Sequence, residues 1–388
     1  MNRVCPICTN LEKTLLYQQN FNKNADISLM EKYDVVVCNK CGFVFADSVP
    51  SPDIFDNYYA AMSKYEFNYK DGVVPEEHIK HFTKIADFIT PHLKNKNVKI
   101  LDIGCSTGGL LSILKSKGYL NLLGIDPSSS CVNAVKKLYG IEAMVNNISN
   151  FNSNEKFDLI ILSAVLEHLV DFESSMCKIR SLLSDSGMLF IEVPDAERFD
   201  LYISAPFQQF SVEHINYFSQ YSIENLFSVF SFEMLDLKVN ENKSNPSIDP
   251  DIFVLGKKTE NKDVAISKDD ISVGKIKNYI NESAKIDFKI KKLLEEKLSD
   301  KDKIIVWGVG THTQRLIGAG MEISKILYFV DSNIRYIGKQ LNGIEIKSPQ
   351  NIKEEVPILI STHSFQKEII HQIREILKLN NEIIKLYQ

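Results

Sequence analysis

Four cysteines, Cys5, Cys8, Cys38 and Cys41, stand as two C-x-x-C knuckles at the start of the chain. Each knuckle puts two thiolates on one tight turn, and two knuckles complete the tetrahedral sulfur set that zinc prefers. Four thiolates also close the coordination sphere, so an ion held there is expected to be structural. The bland alternative is four reduced cysteines without a metal. With the metal the first residues are expected to fold as a small stapled module, with short strands at Tyr33–Val37 and Phe43–Ala46 flanking the second knuckle. The other cysteines, Cys105, Cys131 and Cys177, fall singly in apparent core elements, which suits a reducing compartment better than a disulfide framework. The opening M-N-R-V-C-P-I-C has no apolar signal region, and no apolar run is long enough to span a bilayer. A cytoplasmic protein with no membrane partner is expected.

After an aromatic tract that includes Tyr58, Tyr59, Tyr65, Phe67 and Tyr69, Pro75–Leu93 carries helical spacing. From Asn97 the pattern alternates strand and helix, which argues for a parallel sheet covered on both faces. Strands are expected at Val98–Asp102, Leu122–Asp126, Glu142–Val145, Phe157–Leu162 and Met188–Val193, with helices at Gly108–Lys117, Ser130–Leu138, Glu173–Leu183 and Ser222–Phe230. Phe232–Val239 and Ile252–Gly256 read as a closing antiparallel pair, and 240–272 as loop and linker. A charged helix over Val273–Leu298 leads into a second α/β unit, with strands at Ile304–Trp307, Ile326–Val330 and Pro357–Ser361 and helices from Gln314 and over Gln366–Leu377. The expected fold class is α/β in three parts: a metal module with an aromatic segment over 1–70, a sheet domain over 71–258, and a Rossmann-like unit over 259–388. A chain of 388 residues with 44% hydrophobic residues can bury cores of that number, and a net charge of −5 gives no general reason to expect nucleic acid as a partner.

The first strand of the sheet domain runs into L-D-I-G-C-S-T-G-G, Leu101 to Gly109. In an open parallel sheet a ligand binds beyond the carboxyl ends of the strands, close to such a loop. Gly104 and Gly108 are spaced G-x-x-x-G, unlike the G-x-G-x-x-G that a dinucleotide pyrophosphate requires, so a nucleoside ligand without one is favoured. Asp126, ending the second strand, is placed to bond a ribose diol. Its competing role is an Asx turn before Pro127.

L-D-I-G-C-S-T-G-G, G-I-D-P-S and F-D-L-I-I-L-S-A-V-L-E-H-L together resemble the class I S-adenosylmethionine-dependent methyltransferases. The resemblance implies a Rossmann-like sheet in which Asp102, Gly104 and Gly108 hold the methionine part of the cofactor, Asp126 its ribose, and Asn147 with Ile148 flank its adenine. Ser163, closing the strand from Phe157, is counted with these cofactor residues. An Asn-Asn pair is also an ordinary turn, and His168 is as readily structural as catalytic.

Over the whole chain the order of parts is similar to the zinc-containing sugar C-methyltransferases of deoxysugar pathways, which methylate a keto-sugar carried on a nucleoside diphosphate. That family has a Glu-His pair followed by tyrosine and phenylalanine; here F-S-V-E-H-I-N-Y-F-S supplies Glu213, His214, Tyr217 and Phe218. Carbon methylation needs the acidic proton beside a carbonyl removed, and an imidazole titrates in the right range to take it. The resemblance therefore implies His214 as base and Glu213 as its neighbour, with Tyr65, Tyr69 or His168 as donors to the oxyanion. Where the best-known members have a tyrosine three residues before the histidine, this chain has Ser211. Glu213 and His214 could instead tie a loop to the sheet, and the aromatic tract could cover the acceptor or only pack the metal module.

In the last unit the resemblance implies that Gly308, Gly310, Thr311 and His312 of G-V-G-T-H-T contact a substrate phosphate through backbone donors; the competing role is an architectural turn. The alternatives to sugar C-methylation are an O-methyltransferase of a sugar or small metabolite, a zinc-knuckle nucleic-acid-binding or regulatory protein, and a redox enzyme holding a nicotinamide at either glycine loop.

Overall fold

The computed structural model describes residues 2–21, 29–62, 74–240, 250–260, 265–363 and 365–387. Tyr65, Phe67 and Tyr69 lie outside the described residues.

The amino-terminal module is an antiparallel sheet, β1 (Lys13–Asn20), β2 (Lys32–Cys38), β3 (Val44–Asp47) and β9 (Asn216–Tyr217), in that spatial order. β1 is missing from the sequence reading because K-T-L-L-Y-Q-Q-N lacks clean alternation; as an edge strand it buries little. β9 is borrowed from far along the chain, two residues after His214. The metal module is therefore built partly from the segment expected to carry the chemistry.

The central sheet contains β4 (Ile100–Ile103), β5 (Leu122–Asp126), β6 (Glu142–Val145), β7 (Phe157–Ser163) and β8 (Leu183–Pro194), all parallel, with β10 (Phe232–Asn240) and β11 (Asp251–Lys258) antiparallel at one edge. The spatial order is β10-β11-β8-β7-β4-β5-β6. Strand β4 comes first in the chain yet lies centrally, with β5 on one side and β7 on the other, so the crevice opens at its carboxyl end. Alternate residues of each strand feed two cores. Ile100, Leu159, Ile161, Phe190 and Phe253 pack under α2 (Glu76–Ile89), α3 (Gly109–Ser116) and α4 (Ser129–Tyr139), whereas Leu101, Ile160, Leu162 and Leu189 pack under α5 (Phe172–Leu182) and α6 (Gln220–Val229). The four knuckle cysteines belong to the second of these cores, so the module seats on the α5/α6 face. A further helix, α1 (Pro52–Met62), leads from the module toward the crevice.

The third sheet is β14 (Gln340–Leu341), β15 (Ile344–Lys347), β13 (Ile326–Val330), β12 (Ile304–Trp307), β16 (Ile358–Ile360) and β17 (Ile383–Lys385) in spatial order. Its strands are nearly continuous Ile, Val and Leu because both faces are covered: one by α8 (Thr311–Gly318) and the end of α7 (Asp270–Leu298), the other by α9 (Gln366–His371). Helix α9 ends earlier than the expected helix to Leu377, passing into one wide π turn at Gln372–Ile376. At 29 residues α7 is about 43 Å long. Ile276 and Tyr279 near its start belong to the core of the metal module, and Ile290, Leu294 and Leu298 to that of the last sheet. No helix among the described residues is long and apolar enough to cross a membrane.

Asp269 joins three of these parts. Its carboxylate caps α7 by accepting the Ser272 N–H at 2.9 Å and accepts the Ser219 hydroxyl, at the start of α6, at 2.5 Å. Its own N–H donates to the Cys41 carbonyl at 3.0 Å. Gly42 makes this approach possible: its φ is +76°, and a Cβ there would lie 2.3 Å from the Asp269 carbonyl oxygen. Gly42→Ala combines left-handed strain with a backbone collision, and is expected to cost ~1–3 kcal/mol. Asp269→Ala, which loses a cap, should cost about 1–2 kcal/mol. Denaturant unfolding of both variants measures this; a neutral Gly42→Ala contradicts the packing described.

Candidate active site

The crevice at the end of β4 is a cavity of about 340 Å³, lined from one side to the other by Asn147 and Ile148, Asp126, Asp102 and Gly104, Ser163, Glu192 and His168 with Glu213. The loop between β4 and α3 makes room by backbone geometry. Gly104 has φ +74°, and a Cβ there would stand 2.7 Å from Val165; Gly108, with φ +83°, begins α3 against Val135. These glycines allow the chain to turn back into a helix whose first N–H groups face the crevice end of the sheet.

Asp126 bonds its own surroundings with both oxygens. One accepts the Ser106 N–H at 2.9 Å, the other the Ser128 N–H at 2.8 Å. It thus makes the Asx turn and at the same time ties the glycine loop to β5, while lining the cavity. Two acceptor lone pairs per oxygen leave capacity for a ligand hydroxyl. Asn147 also lines the cavity; its amide donates to Asp56 of α1 at 2.7 Å, and its side-chain oxygen accepts the Asn150 N–H, so it is a turn residue and a latch on α1 together. Asp102 is fully buried, and burial, reinforced by Asp126 and Glu192, pushes its carboxyl up to about 8. Ser163 donates to Glu192 at the end of β8, and the other oxygen of Glu192 pairs with His81 of α2 at 2.5 Å. Neither His81 nor Glu192 figured in the sequence reading. They are brought together across 111 residues, with no local motif to announce them.

The opposite wall carries the histidines. His168 ends a short 3-10 turn after β7, and its Nδ1 lies 3.0 Å from the Glu213 carbonyl oxygen. The rings of His168 and His214 stand edge to face at 5.0 Å, and Tyr59 of α1 meets His168 at 5.7 Å. The Tyr58 hydroxyl donates to Glu213 at 3.1 Å; burial, with the Glu213 charge second, raises the tyrosine well above its ordinary pKa, so it stays a donor. Ser211, in place of a tyrosine, accepts the N–H groups of Glu213 and His214 through its hydroxyl at 3.2 and 3.1 Å. It shapes the loop and leaves the tyrosine contacts to α1.

Arg3, absent from the sequence reading, fixes both histidine segments. Its guanidinium donates to the carbonyls of Ala46 at 2.9 Å, Ile215 at 3.1 Å and Leu169 at 3.3 Å, and to the Asn216 side chain at 2.7 Å. Leu169 and Ile215 follow His168 and His214 directly. Burial lowers the guanidinium to about 10, against the pull of Asp47, so it remains charged at neutral pH.

The knuckle cysteines are all buried and their ligand atoms lie within 4.8 Å of one another. The Cys5 and Cys41 sulfurs are 3.5 Å apart, as are those of Cys8 and Cys38. These separations are far from a disulfide's ~2.05 Å and near the ~3.8 Å edge of a tetrahedron with Zn–S of about 2.3 Å. The donor set fits one zinc ion.

In the last unit Gly308 has φ +108°, but the side chains near it serve the unit itself. Thr313 bonds the Gly308 carbonyl and Ser361, and His312 pairs with Tyr387. Burial, with Arg315 and His363 adding repulsion, brings His312 down to about 3. Asp331 accepts the Val309 N–H at 3.1 Å and the Asn333 N–H at 2.8 Å, repeating the Asp126 arrangement in a second sheet.

Comparison with known proteins accords with this geometry. A methyltransferase-domain family model matches residues 77–237, and the model described as C2185-like, N-terminal, matches 300–384. The chain is similar to the C-methyltransferase NovU of Streptomyces niveus, 20% identical over 375 residues, which cover 90% of this chain and 85% of that protein. It is similar to the ubiquinone biosynthesis O-methyltransferase of Pelagibacter ubique, 33% identical over 101 residues, covering 25% of this chain and 42% of that one. Among solved structures, magnesium protoporphyrin IX methyltransferase from Synechocystis PCC 6803 aligns at 15% identity and a TM-score of 0.43, over 54% of this chain and all of its own. The chain is an S-adenosylmethionine-dependent methyltransferase. Its α/β architecture joins a Rossmann-like methyltransferase sheet to the four-cysteine module.

The Asp102 carboxyl is protonated in the fold up to about pH 8 but ionises near 3.9 when unfolded. Between those values the folded state binds more protons, so this group makes stability fall as pH rises. Asp102→Asn should therefore raise the melting temperature of the cofactor-free protein at pH 8 and leave it unchanged at pH 4. Equal shifts at both values would show that the carboxyl is ionised in the fold.

Proposed function

We propose that this methyltransferase transfers the methyl group to a carbon atom of a keto-sugar carried on a nucleoside diphosphate, with His214 as the base. The observation that carries the reading is the pairing of His214 with His168 beside the cavity whose other end is the nucleotide-type glycine loop. Similarity to a C-methyltransferase over most of the chain supports carbon as the acceptor.

S-adenosylmethionine supplies an electrophilic methyl carbon; Asp102, Gly104, Gly108, Asp126, Asn147, Ile148 and Ser163 are the residues assigned to hold it. His214 accepts the proton from the carbon beside the substrate carbonyl, and its neighbour His168 and the Tyr58 hydroxyl are the donors at hand for the oxygen that gains charge. Glu213 orients Tyr58. Holding the carbon nucleophile and the methyl carbon in line then contributes most of the acceleration. Cys5, Cys8, Cys38 and Cys41 would hold a structural zinc ion, and β2, β3 and β9 carry the position of that module to the His214 loop. Residues 259–388 serve as the second wall for the sugar nucleotide, with the Gly310 and Thr311 N–H groups as hydrogen-bond donors to its phosphate. Methylation of a sugar oxygen is the nearest competing reaction, and the ubiquinone O-methyltransferase match keeps it in view.

His214→Ala should lower kcat by at least ~100-fold while S-adenosylhomocysteine binds as in the wild type; retained turnover defeats the base assignment. The product should carry its new methyl on carbon and survive acid hydrolysis as a branched sugar, whereas a methoxy product defeats carbon transfer. Metal analysis should find one zinc per chain, and chelation should loosen acceptor binding more than cofactor binding. Equal loss of both would make the module a general stabiliser.

A further inference from the structure

The cofactor of this class ends in an amino acid with a carboxylate and an ammonium group, and the cavity's charges show an asymmetry toward those two. Asp126 and Glu192 offer negative charge to a cation, but no lysine or arginine appears among the described residues lining the cavity. The cationic groups it can offer a carboxylate are imidazoles: His78, His81 and His168. His168 stands on the acceptor wall against His214 and Tyr59. Burial holds His78 below its ordinary pKa, so it is neutral at pH 7. His81 differs: burial also opposes its charging, but the Glu192 carboxylate more than offsets this and the net shift is upward.

Position agrees with charge. With the ribose at Asp126 on β5, the cofactor's amino-acid end must run across β4 and β7 toward β8, where Glu192 sits. Three strand spacings of ~4.8 Å amount to about 14 Å, a reach comparable to an extended methionine chain with a hydrogen bond at each end. Helix α2 is locked against the glycine loop there, since a Cβ on Gly109 would lie 2.3 Å from the Phe82 ring. His81 uses Nε2 for Glu192 at 2.5 Å, and the imidazolium carries a second N–H at Nδ1.

We propose that His81, paired with Glu192, is the cation that receives the cofactor's α-carboxylate and so selects a cofactor with an intact amino-acid end. This rests on the cofactor-site reading and adds a residue to it. The test is calorimetric titration of wild type, His81→Ala and His81→Gln with two probes: S-adenosylhomocysteine, and 5′-methylthioadenosine, which keeps the nucleoside and sulfur but lacks the amino acid. Both variants should bind S-adenosylhomocysteine about 10- to 100-fold more weakly and 5′-methylthioadenosine within about twofold of wild type. Equal weakening of both probes would make His81 a support of pocket shape only, and unchanged S-adenosylhomocysteine affinity would hand the carboxylate to the α3 backbone; either overturns the proposal. If wild type binds neither probe, the cofactor-site reading itself fails. Retained 5′-methylthioadenosine binding shows that a variant is folded, and the glutamine variant, which preserves volume and polarity, covers the case in which alanine does not fold.

Discussion

The buried guanidinium of Arg3 is the interaction on which the site depends. Its two terminal nitrogens reach three carbonyls and one side-chain amide, reinforcing the backbone bonds that join Ala46 to Ile215 and Ile215 to Glu167. One carbonyl belongs to β3, one follows His168 and one follows His214. A charge buried this deeply is tolerated because its donors are met by oxygen and Asp47 lies near. The consequence is structural logic running backwards along the chain: the third residue, together with the His168–Glu213 and Ile215–Glu167 bonds, holds in place two histidines more than 160 positions away. The metal module is thereby part of the active-site frame. Its stability, set by the four sulfurs and the Gly42–Asp269 contact, passes into the site through β3 and β9.

Electrostatics on the cofactor side follow from the same economy. Three carboxylates share one crevice, and the fold keeps them there by different means. Asp126 accepts two backbone N–H groups, Glu192 takes a hydroxyl and an imidazole, and Asp102 is held neutral by burial. With Asp102 neutral, the negative charge facing a cation in the cavity is that of Asp126 and Glu192. The opposite wall is built otherwise, from the His168 and His214 imidazoles and the Tyr58 and Tyr59 side chains.

Much of this was legible in the sequence. The knuckle cysteines, the Asp102 to Gly108 loop and Asp126 announce themselves because backbone geometry and metal chemistry demand particular residues at short spacing. The parallel strands could be drawn because both faces are buried and the runs are apolar. Other features escaped for physical reasons. Strand β1 is a polar edge strand, and α7 starts at Asp270 because Asp269 caps it, a signal hidden within a polar stretch. Arg3, His81 and Glu192 escaped because their partners lie from 29 to 213 residues away, and sequence spacing does not reveal such pairings. The C-terminal G-V-G-T-H-T loop was readable as a turn, yet only the structure shows that His312 and Thr313 spend their side chains inside the unit.

The central claim is that the histidine wall removes a proton from carbon beside a carbonyl, next to the bound cofactor. The most direct measurement is hydrogen exchange at that carbon in deuterium oxide, with a nucleotide-linked keto-sugar and S-adenosylhomocysteine, which cannot donate a methyl. The account predicts that wild-type enzyme incorporates deuterium at the carbon adjacent to the carbonyl faster than the buffer does, and that His214→Ala does not. No enzyme-dependent exchange in the presence of a substrate that is methylated under turnover would contradict it.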